Sequence, residues 1–359
     1  MIYLQSNIFA QWLSQAEGWQ YVLVLILVAA IYLGFFALAG LMLVYLERRV
    51  AGYFQLRLGP NRVGPWGLLQ TIADALKLLS KEIFVPKLAD KLMYKAGYYI
   101  VIITALLGLS VIPFAREVQA LDINIGIFFI SAVSSVGVLG ILFGAWGSRN
   151  KYSLLGAMRS GLQMISYELS AGFAIITMVL LAGSLRLTEI VEAQQSTWFI
   201  FKGHLPAIIA FVIFVIAGTA ESNRVPFDLV EAESELGAGF HTEYSGMGFA
   251  YFFLAEFINM FIISALTVTM FFGGWLAPFG ITDALLAQWF WGIFWFMLKV
   301  FVMIFLLMWF RWTFPRLRID QLLTLEWKYL LPIGLVNVVV MAFFVWKDWL
   351  LDIGKWLGL

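Results

Sequence analysis

Long uninterrupted apolar runs are the feature that most constrains this chain. A helix needs about 20 apolar residues to cross the hydrocarbon core of a bilayer. The eight candidate segments are residues 20–46, 98–115, 124–147, 154–183, 205–222, 249–273, 285–310 and 328–346. Because these runs are continuous rather than alternating, they lack the pattern of a membrane β-barrel. We expect an all-α, polytopic membrane helix bundle that forms a single domain over residues 1–359.

The amino-acid composition limits the kinds of cofactor and active site that this chain can contain. Hydrophobic residues make up 62% of the chain and charged residues 13%, with a mean hydropathy of +0.90. The absence of Cys excludes disulfides, iron–sulfur ligation and thiolate catalysis, and two histidines argue against paired axial ligands for haem. No metal site and no nucleic-acid partner are predicted. No Lys or Arg precedes the first apolar run, which is also too long for a signal peptide, so no cleaved signal is expected.

The charges of the loops predict the orientation in the membrane. Four loops, at residues 47–97, 148–153, 223–248 and 311–327, carry fifteen Lys and Arg between them. The opposite side carries five, Arg116, Arg186, Lys202, Lys347 and Lys355. The positive-inside rule places the first set in the cytoplasm. Both termini are then expected on the outer, periplasmic side of a bacterial inner membrane.

Residues 218–248 form an acidic cytoplasmic loop between two apolar runs. Its carboxylates are Glu221, Asp228, Glu231, Glu233, Glu235 and Glu243. An acidic run is commonly a solvated loop. Here, however, Glu221 directly continues an apolar helix, and apolar side chains such as Phe227 and Leu229 separate the carboxylates. We favour a partly buried acidic funnel leading into the membrane domain, with the solvated loop as the alternative.

The loop at residues 47–97 is predicted to contain an amphipathic helix that lies in the membrane interface. Gly-Pro pairs mark turns, and Pro65 stands at the expected first helical position. Apolar residues at helical spacing are Leu69, Ile72, Leu76, Leu79 and Ile83, and the polar face carries Gln70, Asp74, Lys77 and Lys81. This helix is either a simple anchor or one wall of a cavity that opens to lipid. The second possibility would use the neighbouring Arg48, Arg49, Arg57 and Arg62.

Two ionisable residues fall within predicted spans. Glu168 lies midway along the fourth span and Lys299 midway along the seventh. Charges at such positions are costly and usually face the bundle interior. Each is either a hydrogen-bonding site that only fixes helix packing or a member of a proton relay, with Lys299 as the expected buried partner of a carboxylate network. A further polar stripe on the fourth span consists of Arg159, Gln163, Ser166 and Ser170.

Four motifs resemble one protein family over most of the chain, from about residue 45 to residue 332. The first motif covers residues 47–82 and contains ERR, GPNRVGP and GLLQTIADALKLLSKE. The other three are LLGAMRSGLQMISYEL, AESNRVPFDLVEAESELGAGFHTEY and FPRLRIDQLLTLEWKYLLP. They are similar to the signatures of the membrane subunit that holds the quinone channel of respiratory complex I, in bacteria and in mitochondria. His241 departs from the pattern, since many relatives have Asn there.

The resemblance implies a subunit of proton-pumping NADH:quinone oxidoreductase that is not catalytic alone. Its substrate would be ubiquinone, and it would carry no redox cofactor of its own. FMN and iron–sulfur clusters would belong to peripheral partner subunits, and other membrane subunits would also be partners. By motif, Arg48 and Arg49 would lie near the quinone entrance and Phe253 would line the chamber. The proton path would comprise Glu168, Glu221, Asp228, Glu231, Glu233, Glu235 and Lys299.

Three other functions remain open on the sequence. A homologous membrane subunit of an energy-converting hydrogenase would share the acidic segment but use no quinone, and the intact ERR and GPNRVGP motifs argue against it. A secondary ion transporter acting alone would be expected to show an internal repeat, and none is evident. A purely structural scaffold would not need Glu168 and Lys299 deep in their spans.

Overall fold

The computed structural model describes residues 8–15, 18–228, 237–278 and 288–350. Within these ranges the chain is helical and contains no β-strand, only an isolated bridge between Ala115 and Val118. Eight helical segments are long and apolar enough to cross a membrane. This confirms the predicted all-α, polytopic bundle.

The described part of the chain contains thirteen helices, numbered here in chain order. They are α1 (Ile8–Gln15), α2 (Trp19–Phe54), α3 (Gln70–Ser80), α4 (Lys91–Ser110), α5 (Gly126–Gly147), α6 (Lys151–Ala182), α7 (Leu187–Glu192), α8 (Phe199–Lys202), α9 (His204–Glu221), α10 (Gly246–Phe271), α11 (Gln288–Thr313), α12 (Ile319–Thr324) and α13 (Leu331–Trp346). A π-turn over Leu325–Leu330 joins α12 and α13 into one span. The candidate membrane spans are α2, α4, α5, α6, α9, α10, α11 and the joined α12–α13 segment.

Hydrogen bonds between loops show that the predicted cytoplasmic loops gather at one end of the bundle. Leu317 N donates to Pro226 O at 3.0 Å, and Asp90 N donates to Gly147 O at 2.9 Å. Phe84 N donates to Ser245 Oγ at 3.1 Å. We call this the arginine-rich end, formed by residues 47–90, 148–150, 222–228, 237–245 and 314–318. The loops that are rich in Lys and Arg therefore lie at the same end, as expected when successive spans run in opposite directions.

The helix boundaries differ from the predicted spans at the arginine-rich end. The predicted first span stops at residue 46, whereas α2 continues for two more turns to Phe54 and includes the residues of the ERR motif. The predicted second span starts at residue 98, whereas α4 already starts at Lys91, because Asp90 caps it by accepting from Leu92 N at 3.0 Å. Hydropathy marks the apolar part of a helix, while backbone hydrogen bonds and caps decide where the helix ends.

The amphipathic helix begins later than Pro65 suggested. Pro65–Gly67 form a 3-10 turn, and α3 starts only at Gln70. Gly67 has a φ of +75°, and a Cβ on it would lie 2.2 Å from Pro60 O. This close approach requires glycine in a left-handed conformation, which interrupts the helical geometry and delays the start of α3.

The helix α3 turns its polar side towards the bundle. Ile72, Leu76 and Leu79 are exposed, whereas Thr71 is buried and Asp74 forms an ion pair with Arg48 of α2. A helix on the surface of a soluble protein has the opposite arrangement. An apolar stripe that faces away from the protein suits a helix lying in a membrane interface. The amphipathic helix is thus confirmed, and its contact with lipid stays a prediction.

The core lies around α10, in which every residue from Met260 to Phe271 is buried. The backbones of α4 and α5 cross closely, since a Cβ on Gly97 would lie 2.4 Å from the Cα of Gly144. Small residues allow such close approach of helices in membranes. The pair α4–α5 and the central α10 together form one wall of the interior described below.

We expect Gly97→Ala to destabilise the protein, because the added methyl group has no space between α4 and α5. Overpacking of this kind costs about 1–3 kcal/mol. The matched control is Gly34→Ala in α2, where a Cβ meets no atom within 4 Å. The apparent melting temperatures of the solubilised proteins would measure the difference. Equal melting temperatures for the two variants would contradict the close crossing.

Candidate functional site

Glu168 and Glu221 come from different helices and line the same interior cavity. Glu168 is on α6, and Glu221 is the last residue of α9. The cavity has a volume of about 100 Å³ and is also lined by Ser131 and Ser134 of α5. Ser135 of α5 donates a hydrogen bond to Glu168. A cavity of this size has room for several water molecules, and its carboxyl and hydroxyl groups offer them hydrogen-bond partners among mainly apolar side chains.

A second, smaller cavity adjoins the first at Glu221. It has a volume of about 30 Å³, and Glu221 and Asn259 line both cavities. His241, Asn223 and Glu256 are among its other lining residues. Glu221 therefore lies between an interior space that holds Glu168 and a space nearer the arginine-rich end. A single carboxyl therefore borders both spaces.

A buried ionic cluster lies next to the smaller cavity. Arg224 Nη1 donates to Glu47 Oε2 at 2.6 Å, and Arg224 Nε lies 3.3 Å from Glu256 Oε1. Arg311 also forms an ion pair with Glu47. The Arg224 guanidinium lies 4.3 Å from the centroid of the Phe257 ring. Only 4% of the Arg224 side chain is exposed, so its charge depends on these partners. We call Glu47, Arg224, Glu256 and Arg311 the Arg224 cluster.

Asp228 lies apart from the cavity shared by Glu168 and Glu221. It is buried and forms an ion pair with Arg316, with Asp228 Oδ2 3.0 Å from Arg316 Nη2. Asp228 is not among the residues that line that cavity, because its carboxylate pairs with the arginine of the loop at residues 314–318. Its place in the proton path stays a prediction. Glu231, Glu233 and Glu235 lie outside the described residues.

Lys299 has a different partner from the one expected. Its Nζ donates to the carbonyl oxygens of Phe272, Gly274 and Leu276, at 2.7, 3.0 and 2.7 Å. It also lies 4.6 Å from the centroid of the Trp198 ring. Among the described residues its partners are these dipoles and this ring rather than a carboxylate. Carbonyl groups at and just beyond the end of α10 carry partial negative charge, which favours a cation at this place.

The residues assigned to quinone by motif are distributed over α2 and α10. Arg48 forms its ion pair with Asp74 of α3. The side chain of Arg49 packs over Gly59, where an added Cβ would lie 3.1 Å from Arg49 Cδ. Phe253 stacks on Phe249 of α10 with a centroid distance of 5.7 Å and meets Phe257 edge to face at 4.9 Å. Phe257 in turn contacts Arg224, so this aromatic row ends at the Arg224 cluster.

The end of the acidic segment is fixed to α4 by two tyrosines. The rings of Tyr94 and Tyr244 stack at 4.2 Å, and Tyr244 Oη donates to Tyr94 O at 3.0 Å. Tyr94 Oη donates to Glu243 O at 2.8 Å. Burial raises the pKa of the Tyr244 hydroxyl above its usual value, so this group stays a neutral donor. The carboxyl of Glu243 accepts from Asn150 Nδ2 at 2.6 Å rather than facing the cavities.

Comparison with known proteins identifies the family. The family described as NADH dehydrogenase matches residues 25–342. The chain belongs to this family. A relative from Bacteroides thetaiotaomicron, named as the H subunit of NADH-quinone oxidoreductase, is 54% identical over 91% of this chain and 92% of its own length. Relatives of the same name from Bacteroides fragilis and Rhodospirillum centenum are 51% and 49% identical, over 94% and 86% of this chain and 97% and 90% of their own lengths.

This member of the NADH dehydrogenase family has a buried charge, Glu47, and a partly buried one, Glu256, that the sequence did not single out. Glu47 was treated only as part of the ERR motif, and Glu256 only as part of an apolar run. A lone carboxylate in the sequence FFLAEFINM of α10 was the available signal for Glu256, since charges are rare in such a run. Glu47 gave no comparable signal, because its place in the sequence is the start of a polar loop.

We expect Glu47→Gln to destabilise this family member more than Asp74→Asn. Both substitutions replace a carboxylate that pairs with arginine by its amide. Glu47 is buried, and loss of a buried partner costs about 3 kcal/mol or more. The Arg48–Asp74 pair is 43% and 32% exposed, where such pairs contribute less than about 1 kcal/mol. Apparent melting temperatures would test this, and a larger effect for Asp74→Asn would contradict it.

Proposed function

We propose that this chain is the quinone-channel membrane subunit of a proton-pumping NADH:quinone oxidoreductase. In this proposal it forms the membrane part of the ubiquinone chamber and an acidic path that couples quinone reduction to proton movement. The observation that carries the proposal is the position of Glu221 between two cavities, one of which also contains Glu168. Membership of the NADH dehydrogenase family and the names of its relatives support it.

The chemistry of quinone reduction explains why such an arrangement is needed. A quinone has a long apolar tail, so its site must open sideways to lipid. Reduction to quinol consumes two protons, and a chamber shielded from bulk water needs a hydrated connection to supply them. Crowded carboxylates titrate together, so a change of charge at the quinone shifts protons along them. Glu168 and Glu221, which share a polar cavity, have the proximity that this coupling requires.

The residues proposed for the quinone lie close to those proposed for the protons. Arg48 follows Glu47 directly in α2, and Glu47 is a partner of Arg224. The row of Phe249, Phe253 and Phe257 leads to the same arginine. We propose that the chamber lies beside this row, with α3 at its lipid-facing mouth. Peripheral subunits with FMN and iron–sulfur clusters would dock at the arginine-rich end, on the cytoplasmic side, and both termini would lie outside.

We expect Glu221→Gln and Glu168→Gln to slow quinone reduction and proton pumping together, by roughly ten-fold or more, because each removes a group that takes up and releases protons. Rates would be measured in the assembled complex reconstituted into vesicles, with NADH oxidation by ferricyanide as the measure of intact electron input. Glu192→Gln is the matched control, since Glu192 pairs with Arg116 at the opposite end of the bundle. Normal quinone reduction and pumping in both site variants would refute the acidic path.

We expect Arg48→Ala and Arg49→Ala to lower quinone reduction by roughly ten-fold, equivalent to about 1.4 kcal/mol of lost stabilisation, while NADH oxidation by ferricyanide is unchanged. Ferricyanide accepts electrons before the quinone, so it separates damage at the quinone site from loss of assembly. Arg116→Ala at the opposite end serves as the control. Equal loss in both assays would indicate an assembly defect and remove the support for a quinone role.

A quinone titration separates the proposed function from that of a hydrogenase membrane subunit. The purified complex is expected to oxidise NADH at a rate that saturates with added ubiquinone. A complex that evolves hydrogen and shows no quinone dependence would overturn the proposal. The names of the relatives favour the quinone oxidoreductase.

A further inference from the structure

Glu326 is a fully buried carboxyl that takes no part in the acidic path described above. Its exposed fraction is 0%, and it lies in the π-turn Leu325–Leu330 between α12 and α13. This turn packs against α6, where Tyr167 Oη donates to Leu322 O at 3.2 Å. The span therefore brings an acidic side chain against the face of α6 that carries the predicted polar stripe.

The two carboxyl oxygens of Glu326 have different surroundings. Oε1 accepts a hydrogen bond from Ser170 Oγ of α6. Oε2 is buried and has no hydrogen-bond partner among the described residues. The neighbouring polar groups of Trp327 and Ser166 bind each other instead, because Trp327 Nε1 donates to Ser166 Oγ at 3.3 Å. No ion pair of Glu326 with a cation exists within the described part of the chain.

These contacts are insufficient for an ionised carboxylate. Burying a charge in an apolar environment costs several kcal/mol even after relaxation, whereas a hydrogen bond to a charged group contributes about 1.5–3 kcal/mol. One serine hydroxyl does not offset that cost. A neutral carboxylic acid avoids it, because Oε1 then accepts from Ser170 as a carbonyl oxygen and Oε2 carries the proton.

Glu326 packs against the face of α6 that is opposite to Glu168. Ser170 and Glu168 are two residues apart on α6, so they lie about 200° apart around the helix and about 3 Å apart along it. Glu168 faces the cavity shared with Glu221, and Ser170 faces Glu326. The two carboxyls thus lie at similar depth on opposite faces of one helix. A single π-turn is a feature that often marks functional sites.

We propose that Glu326 is a second proton-holding site of the bundle, neutral at rest and deprotonated during turnover. In that step the O–H bond at Oε2 breaks, the electron pair stays on the oxygen, and the proton passes to a water molecule. The titratable group that faces it from α6 is Tyr167, together with the hydroxyls of Ser166 and Ser170. The change during turnover rests on the proposed function, whereas the neutral resting state does not.

Infrared difference spectroscopy of the purified, active complex tests the proposal. The carbonyl stretch of a protonated carboxylic acid lies apart from the bands of carboxylates. Spectra of the complex reduced with NADH minus the oxidised complex are expected to contain a negative band in that region. The band should be absent in Glu326→Gln, retained in the control Glu192→Gln, and shifted to higher frequency in Ser170→Ala, because the hydrogen bond to the carbonyl oxygen is lost.

The result also separates this inference from the proposed function. If Glu326→Gln has the same difference spectrum as the unaltered complex, while that complex reduces quinone and pumps protons, Glu326 is not a proton-holding site and the proposed function stands. If the complex does not reduce quinone, the proposed function fails. The resting state is then tested alone by acid-minus-alkaline difference spectra, in which loss of the carboxylic acid band in Glu326→Gln is required.

Discussion

An ionised side chain inside an apolar helix bundle needs an opposite charge, a set of aligned dipoles or water, and much of this structure follows from that requirement. Arg224 has Glu47 and Glu256 as counter-charges. Lys299 is held by three carbonyl oxygens at the end of α10. Glu168 and Glu221 lie together at a cavity that has room for water. Each of these contacts requires helices that are distant in sequence to meet at a defined place.

The Arg224 cluster has the widest consequences for the fold. Through this one guanidinium, the chain that follows α9 is tied to α2 and α10, and Arg311 of α11 joins through Glu47. Glu221 lies only three residues before Arg224, so the cluster also fixes the end of α9 between the two cavities. The neighbouring Arg48–Asp74 pair connects the same part of α2 to α3. These contacts connect α2 and α3 to the end of α9, which carries Glu221.

Some elements were predictable because a local pattern decides them. The eight spans follow from apolar length, and the spacing of Ser166 and Ser170 in the polar stripe of α6 is that of one helix face, on which Ser170 contacts Glu326. Among the described residues Lys299 contacts carbonyl oxygens rather than the expected carboxylate, because a lone cation in an apolar run indicates burial but not whether a carboxylate or a helix end will meet it. The predicted start of α3 was wrong, because it depends on the loop that brings Gly67 close to Pro60.

By itself, the sequence determined the class of the protein, the number and order of its spans, and which loops share an end, because the bilayer imposes helix length and the loop charges alternate with it. Only the tertiary structure decided that Glu47 and Arg311 join Arg224, that Asp228 pairs with Arg316, and that Glu326 is buried beside a serine. The partner of a buried charge is chosen by helix packing in three dimensions. Residues such as Glu47 and Arg224 are 177 positions apart, and no local pattern records that they meet.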